Sequence, residues 1–163
     1  GEFIKAAKKI KQKYQNVNFT ILGSFISENP SSISLNIIKK WKEEKIVEFI
    51  DDVFDVRENI INSHCVVLPS YREGTPKSLL EAMSMGRPII TTDVPGCNHL
   101  IKNEINGFLC RVKDSIDLQN KMEKFINLES RKKIIMGLNG RNLVCEKYTS
   151  EIVIQRYDKE INA

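Results

Sequence analysis

Residues 66–92 hold two short β-branched runs, VVLPS (Val66 to Ser70) and PIITT (Pro88 to Thr92), separated by one stretch of helical text. Strands joined through a helix run parallel, and a parallel sheet needs cover on both faces. The helix between them is expected over 76–85: Thr75 is a good N-cap and Pro76 suits the first turn, where its missing N–H costs nothing. Leu79, Leu80, Ala82 and Met83 supply the apolar face, and Gly86 stops the helix. The free amides of Lys77 and Ser78 then point out of the helix start, where the helix dipole makes an anion site suited to phosphate. Gly74 allows a ligand to come close to the backbone. Glu73 stands just before this cradle and Glu81 lies one to two turns inside it, placed to accept hydrogen bonds from sugar hydroxyls on either side of a diphosphate. Each residue also has a plainer reading. Ser78-x-x-Glu81 matches a capping box, Glu73 fits a solvated loop acid, and Lys77 fits an exposed lysine.

The same alternation extends on both sides of this unit. A helix over 3–14 leads to strand NFTILG (18–23), the loop SENPSS, a helix over 33–44 and strand IVEFI. A short helix near 55–62 precedes VVLPS, and a short helix near 98–102 precedes strand GFLC. The expected fold is α/β, a Rossmann-like parallel sheet with helices on both faces. Ligands of such sheets bind outside the carboxyl ends of the strands, where Gly23, the 51–54 loop, Ser70 to Pro76 and Asp93 to Gly96 would gather. From about 114 onward the text turns to extra helices, over 115–128, 130–147 and 150–162.

Composition narrows the function classes. The chain has 163 residues, enough for one domain with a proper core, and carries 28% charged residues. Its net charge of +4 is mild, with no basic stripe interleaved with aromatics, so nucleic acid is not an expected partner. The lysines of KAAKKIKQK fit the solvated face of a helix whose apolar side is Phe3, Ile4, Ala7 and Ile10; a membrane-facing role is the lesser alternative. No apolar run approaches a membrane span and the start lacks a signal-peptide layout, so a cytoplasmic protein is expected, with any membrane contact peripheral at the inner face. Cys65, Cys97, Cys110 and Cys145 form no C-x-x-C pair, and with only two histidines no metal site is expected. Reduced thiols follow, with Cys65 and Cys110 as small buried hydrophobes.

EGTPKSLLE (Glu73 to Glu81), with PS-x-x-EG before it and EAMSMGRPIITTDVPG and NGFLC after it, resembles the E-x7-E signature of glycosyltransferase family 4, in the GT-B superfamily. LGSFISENPSSIS, WKEEKIVEFIDDVFDV and EIVIQRYDKEI are similar to the bacterial capsule, O-antigen and glycan-assembly branch, so the likeness covers nearly the whole chain. A GT-B enzyme has two domains with the active site between them. The resemblance therefore implies that residues 1–163 are one C-terminal donor-binding domain, lacking the N-terminal acceptor domain and the first strand, whose loop carries a basic Arg and Lys pair.

By the same resemblance, Glu81 binds the ribose hydroxyls, and Glu73 contacts the transferred sugar and stabilises the charged transition state. The amides of Thr75, Lys77 and Ser78 hold sugar and diphosphate, while backbone around Val53 and Phe54 reads the base, expected to be uracil. Gly23 lines the donor side. Family members retain anomeric configuration and work without a metal, so no cofactor is expected. The implied reaction moves a hexose or N-acetylhexosamine from a UDP-sugar to a lipid-linked or polysaccharide acceptor, with the isolated 163-residue chain inactive. A non-catalytic nucleotide-binding or docking module and a nucleotide-sugar epimerase stay open as alternatives. Two positions depart from the family pattern: Asp51 stands where glycine is usual, and Asn98 where a basic residue is frequent. Ile152, Ile154 and Tyr157, on a last helix that crosses toward the other domain, are expected to be partly exposed.

Overall fold

The computed structural model describes residues 1–23, 33–51 and 53–162. The expected loop over 27–32 lies outside them. Strands and helices alternate as α1 (Glu2–Lys13), β1 (Thr20–Leu22), α2 (Leu35–Glu43), β2 (Glu48–Ile50), α3 (Arg57–Asn62), β3 (Val66–Leu68), α4 (Lys77–Ser84), β4 (Ile89–Thr92) and β5 (Gly107–Cys110). A single 3-10 turn, Asn98–Leu100, stands where the short helix near 98–102 is expected. Three helices close the chain: α5 (Ser115–Ile126), α6 (Ser130–Lys147) and α7 (Ser150–Ile161).

All pairings are parallel, and β4 is the middle strand of β3-β4-β5, with Val67, Ile90 and Phe108 side by side. Successive side chains of a strand point to opposite faces. Ile89 accordingly joins a core with Leu79, Ala82 and Met83 of α4 and Val144 of α6, while Ile90 joins one with Ala6 and Ile10 of α1 and Leu118, Met122 and Phe125 of α5. Helices thus cover both faces, and every residue of β4 is buried. Each large apolar side chain buried this way contributes roughly 1.5–3 kcal/mol. In α1 the expected split holds: Ile4, Ala7 and Ile10 are buried, and Lys5, Lys8, Lys9 and Lys13 are exposed.

The strands are arranged differently from one continuous sheet. β1 and β2 form a two-stranded sheet of their own, and β1 and β3 do not pair. What links the two sheets is α1 and its surroundings, because Phe3 and Phe19, ring to ring at 5.8 Å, pack into the cores beneath both. β1 is also shorter than the expected 18–23, although hydrogen bonding to β2 continues one residue beyond each end, from Glu48 N–H to the Phe19 carbonyl at 2.8 Å and from Gly23 N–H to the Ile50 carbonyl at 3.2 Å.

Two features fix α4, the helix of the central motif. At its end, Gly86 (φ +68) lets the chain reverse so that Gly86 N–H donates to the Met83 carbonyl and Arg87 N–H to that of Ala82, both at 2.9 Å. Arg141 of α6 adds a 2.5 Å bond to the Ser84 carbonyl. Along its back, α6 comes so close that a Cβ on Gly137 would stand 2.0 Å from the Gly86 carbonyl oxygen. α7 carries its apolar stripe outward as expected, with Ile154 and Tyr157 exposed and Ile152 half-buried.

Candidate functional site

α4 begins one residue later than the sequence suggests. Pro76 is the N-cap, with ψ 116, and its carbonyl accepts from the amides of Leu79 (3.1 Å) and Leu80 (3.3 Å). Thr75 therefore lies ahead of the helix and makes no capping bond, correcting its assignment as N-cap. The cause is Pro76, which holds the preceding residue in extended backbone and takes the cap position itself. The consequence for the anion cradle is favourable. Among the described residues, the amides of Lys77 and Ser78 have no acceptor, and Gly74, Thr75, Lys77 and Ser78 are all exposed. A Cβ on Gly74 would meet nothing within 4 Å, so open space faces the backbone there.

The two acids differ in how they are held. Glu81 is half-buried and pairs with Lys77 Nζ at 3.5 Å, so it is turned along the helix flank and not back into a capping box. The Lys77 side chain is 89% exposed, and the pair restrains little. Glu73, also half-buried, accepts a 2.7 Å hydrogen bond from the Ser70 hydroxyl. Glu73 is thus a partly exposed loop acid with one side-chain partner, Ser70.

The loop from Ser70 to Pro76 is anchored from below. The Thr92 hydroxyl donates to the Ser70 carbonyl, and that of Thr91 to the Leu68 carbonyl at 2.7 Å; both threonines are buried. Gly96, at φ +89, lies against the backbone of Glu73 and Gly74, and a Cβ there would stand 2.1 Å from both carbonyl oxygens. Beside it, burial pushes the Cys97 thiol up, with a bond to Thr91 opposing and the charge of Glu73 adding to the rise. The loop's outer side is tied too: Tyr71 donates to Glu2 at 2.9 Å and its ring lies under Lys113 Nζ at 5.3 Å. None of these supports is visible in the E-x7-E spacing. The only sequence signal for them is the Pro95-Gly96 pair after a strand.

The remaining predicted residues lie at the carboxyl ends of other strands. Gly23 ends β1 and donates to the Ile50 carbonyl at 3.2 Å, which brings it beside the segment leading to Val53 and Phe54. Val53 is half-buried, whereas the Phe54 ring is fully exposed at the surface. Just after it, Arg57 grips both oxygens of Asp55 at 2.6–3.0 Å, and this holds the Asp55 carboxyl down at about 2. Asp51 is exposed. Asn98 donates to Asp93 at 2.9 Å across the turn after β4, so the residue replacing a basic one engages an acid of its own loop.

Two shallow concavities, about 380 and 280 Å³, lie at the amino ends of the strands, lined by lysines such as Lys8, Lys11, Lys42 and Lys45. They stand at the opposite end of the fold from the motif. Among the described residues, no three His, Cys, Asp or Glu side chains converge as a metal site would require. All four cysteines are free, with Cys97 and Cys110 buried, Cys65 half-buried and Cys145 exposed. No helix among the described residues is long and apolar enough to cross a membrane.

The family model for glycosyl transferases group 1 matches residues 2–142, a span that includes β1 to β5 and the whole Glu73–Glu81 motif. The chain belongs to this family. It is 31% identical over 158 residues to the N,N'-diacetylbacillosaminyl-diphospho-undecaprenol alpha-1,3-N-acetylgalactosaminyltransferase of Campylobacter jejuni, covering 97% of this chain and 39% of that protein. It is 32% identical over 161 residues to the capsular polysaccharide biosynthesis glycosyltransferase CapM of Staphylococcus aureus, covering 99% of this chain and 42% of that one. Among solved structures, the C-terminal domain of the glycosyl transferase group 1 family protein LpcC from Francisella tularensis superposes with a TM-score of 0.77 at 26% identity, over 91% of this chain and 78% of that one. The chain thus spans about two-fifths of the length of the curated relatives it matches. Its fold is the Rossmann-like α/β half that GT-B glycosyltransferases contain.

Proposed function

We propose that this chain is the donor-binding, C-terminal half of a retaining family 4 glycosyltransferase, which moves a hexose or N-acetylhexosamine from a UDP-sugar to a lipid-linked or polysaccharide acceptor. The observation that carries the reading is the start of α4, where, among the described residues, the amides of exposed Lys77 and Ser78 have no acceptor, open space faces the backbone at Gly74, and a half-buried acid stands on either side in sequence. Amides at a helix start stabilise negative charge without reorganising, which is what a departing diphosphate requires. The Glu73 carboxylate, on the sugar side, offsets positive charge developing at the anomeric carbon. Glu81, further along the helix, takes the ribose hydroxyls, and backbone near Val53 takes the base. The exposed Phe54 ring offers that base a flat apolar surface. No step in this scheme calls for a metal, because the amide cradle and the basic Arg and Lys pair that the resemblance assigns to the loop of the first strand share the leaving-group charge.

The acceptor class rests on the relatives, two of which are named for a diphospho-undecaprenol acceptor and for capsular polysaccharide. The division into halves has its own support. Among the described residues β1 and β3 each have one edge with no strand paired to it, and α1 packs beneath both sheets. A strand leading into α1 and lying between β1 and β3 would join the sheets by a right-handed crossover. The acceptor half would then close over the carboxyl ends of the strands, and the 163-residue chain alone would bind donor without transferring sugar.

Isothermal titration with UDP, UDP-N-acetylglucosamine, UDP-N-acetylgalactosamine and a GDP-sugar tests the reading. Binding of uridine ligands that survives excess EDTA supports it. A well-folded sample that gives no heat with any of the four would overturn it.

A further inference from the structure

The Glu73 carboxylate does not stand alone: Ser70, at the end of the β3 run, donates its hydroxyl to Glu73 Oε1 at 2.7 Å, and the carbonyl of the same Ser70 receives the hydroxyl of buried Thr92 at the end of β4. One residue is thus held at both its polar ends. Its backbone is fixed to the middle strand of the sheet, and its side chain fixes the acid. We propose that Ser70, seated by Thr92, is a positioning residue that sets the orientation of the Glu73 carboxylate toward the transferred sugar. This inference rests on the reading of Glu73 as the sugar-side acid.

The physical case turns on rigidity. Glu73 sits in a loop, and a glutamate on a loop samples several rotamers unless something holds it. A hydroxyl-to-carboxylate bond is charge-assisted and directional, so it favours one rotamer and occupies one of the two carboxylate oxygens, leaving the other free for a ligand hydroxyl. Ser70 is itself only half-buried and would swing with the loop if its backbone were loose. Thr92 prevents this, because β4 is buried along its whole length and paired on both sides. Gly96 closes the arrangement from beneath, its backbone in contact with the Glu73 and Gly74 carbonyls. The orientation of a flexible acid is thereby referred to the most rigid strand of the domain.

The test compares UDP with a UDP-sugar, since only the second engages Glu73. Ser70→Ala should weaken UDP-N-acetylglucosamine or UDP-N-acetylgalactosamine binding by about threefold to tenfold, the net worth of one ordinary hydrogen bond, since the lost bond is felt at the ligand only through Glu73, while the UDP affinity changes by less than about twofold. Ser70→Thr, which keeps the hydroxyl, should restore the difference. On a Glu73→Gln background, Ser70→Ala should add little, because both changes remove one function. Equal losses for UDP and UDP-sugar, or fully additive effects of the two substitutions, would overturn the proposal. If the unsubstituted chain binds neither ligand, the donor reading fails, and ligand-free amide hydrogen exchange decides the positioning question separately. Exchange over residues 71–75 should quicken in Ser70→Ala and in Thr92→Val, and unchanged exchange in a folded Ser70→Ala protein rejects the role.

Discussion

Replacing Gly96 by alanine probes the contact that holds the Glu73 loop. The added Cβ would stand 2.1 Å from the carbonyl oxygens of Glu73 and Gly74 and 2.5 Å from the Glu73 carbonyl carbon. An ordinary C···O approach is about 3.3 Å or more, so the two segments must part by roughly 1.2 Å. Neither partner is a flexible side-chain tip, and Gly96 also has φ +89, where an L-residue is strained by about 1–2 kcal/mol. Adding about 1–3 kcal/mol for overpacking gives a loss of roughly 2–5 kcal/mol. At about 2–4 °C per kcal/mol for a chain of this size, the melting temperature should fall by roughly 4–20 °C while the protein still folds. The UDP-sugar affinity should fall by more than about tenfold, since a shift near 1 Å misplaces the acid and the amide cradle together. Gly74→Ala is the matched contrast. Its Cβ meets nothing within 4 Å, so the melting temperature should stay within about 2 °C while donor binding drops, because the methyl enters the space the ligand needs. Scanning calorimetry and isothermal titration on the two variants give the answer. A Gly96→Ala protein that melts and binds like the parent, or a Gly74→Ala protein that binds donor normally, would refute the reasoning.

Other parts of the account can be tested independently. Gly137→Ala would place a Cβ 2.0 Å from the Gly86 carbonyl oxygen and push α6 off α4, so the urea midpoint should fall by the equivalent of about 2–3 kcal/mol; an unchanged midpoint contradicts the packing. The Asp55 carboxyl is held at about 2, below its usual 3.8, by hydrogen bonds from Arg57. Its folded value being the lower one, the pair stabilises above about pH 4 and that contribution disappears as the pH falls toward 2. Acid titration of Asp55→Asn should therefore show a shallower loss of stability across that window, and an identical slope argues against the pair. Thiol labelling of the native chain should modify Cys145 first, with Cys97 and Cys110 reacting only on unfolding, Cys110 also being pushed to about 11 by burial. Rapid reaction of all four thiols would show that the core is looser than described.

Much of this was legible in the chain because its signals are local. The β-branched runs, the apolar face of Leu79, Ala82 and Met83 and the stop at Gly86 each follow from a few neighbouring residues, and the helices and strands they predict are present. Boundaries were less legible. Thr75 has the chemistry of an N-cap, yet the fixed φ of Pro76 lets that proline take the position, a contest between two local preferences that spacing does not rank. The split into two sheets does not follow from the strand patterns themselves, which do not choose neighbours, though the absent first strand that the resemblance implies leaves room for it. The same limit applies to the site. The run from Glu73 to Glu81 announces itself, whereas Thr92 and Gly96 reach it only after the chain has passed through α4 and β4, a separation at which sequence text carries no pairing information.

The most direct test of the central claim is a titration of the ¹⁵N-labelled chain with a UDP-sugar, followed amide by amide. The account predicts the largest shifts at Lys77 and Ser78, with Gly74, Thr75 and Gly23 also responding, and almost none at Lys11, Lys42 and Lys45 at the opposite end of the strands. Shifts centred on those lysines, with the amides of Lys77 and Ser78 unmoved at saturation, would contradict it.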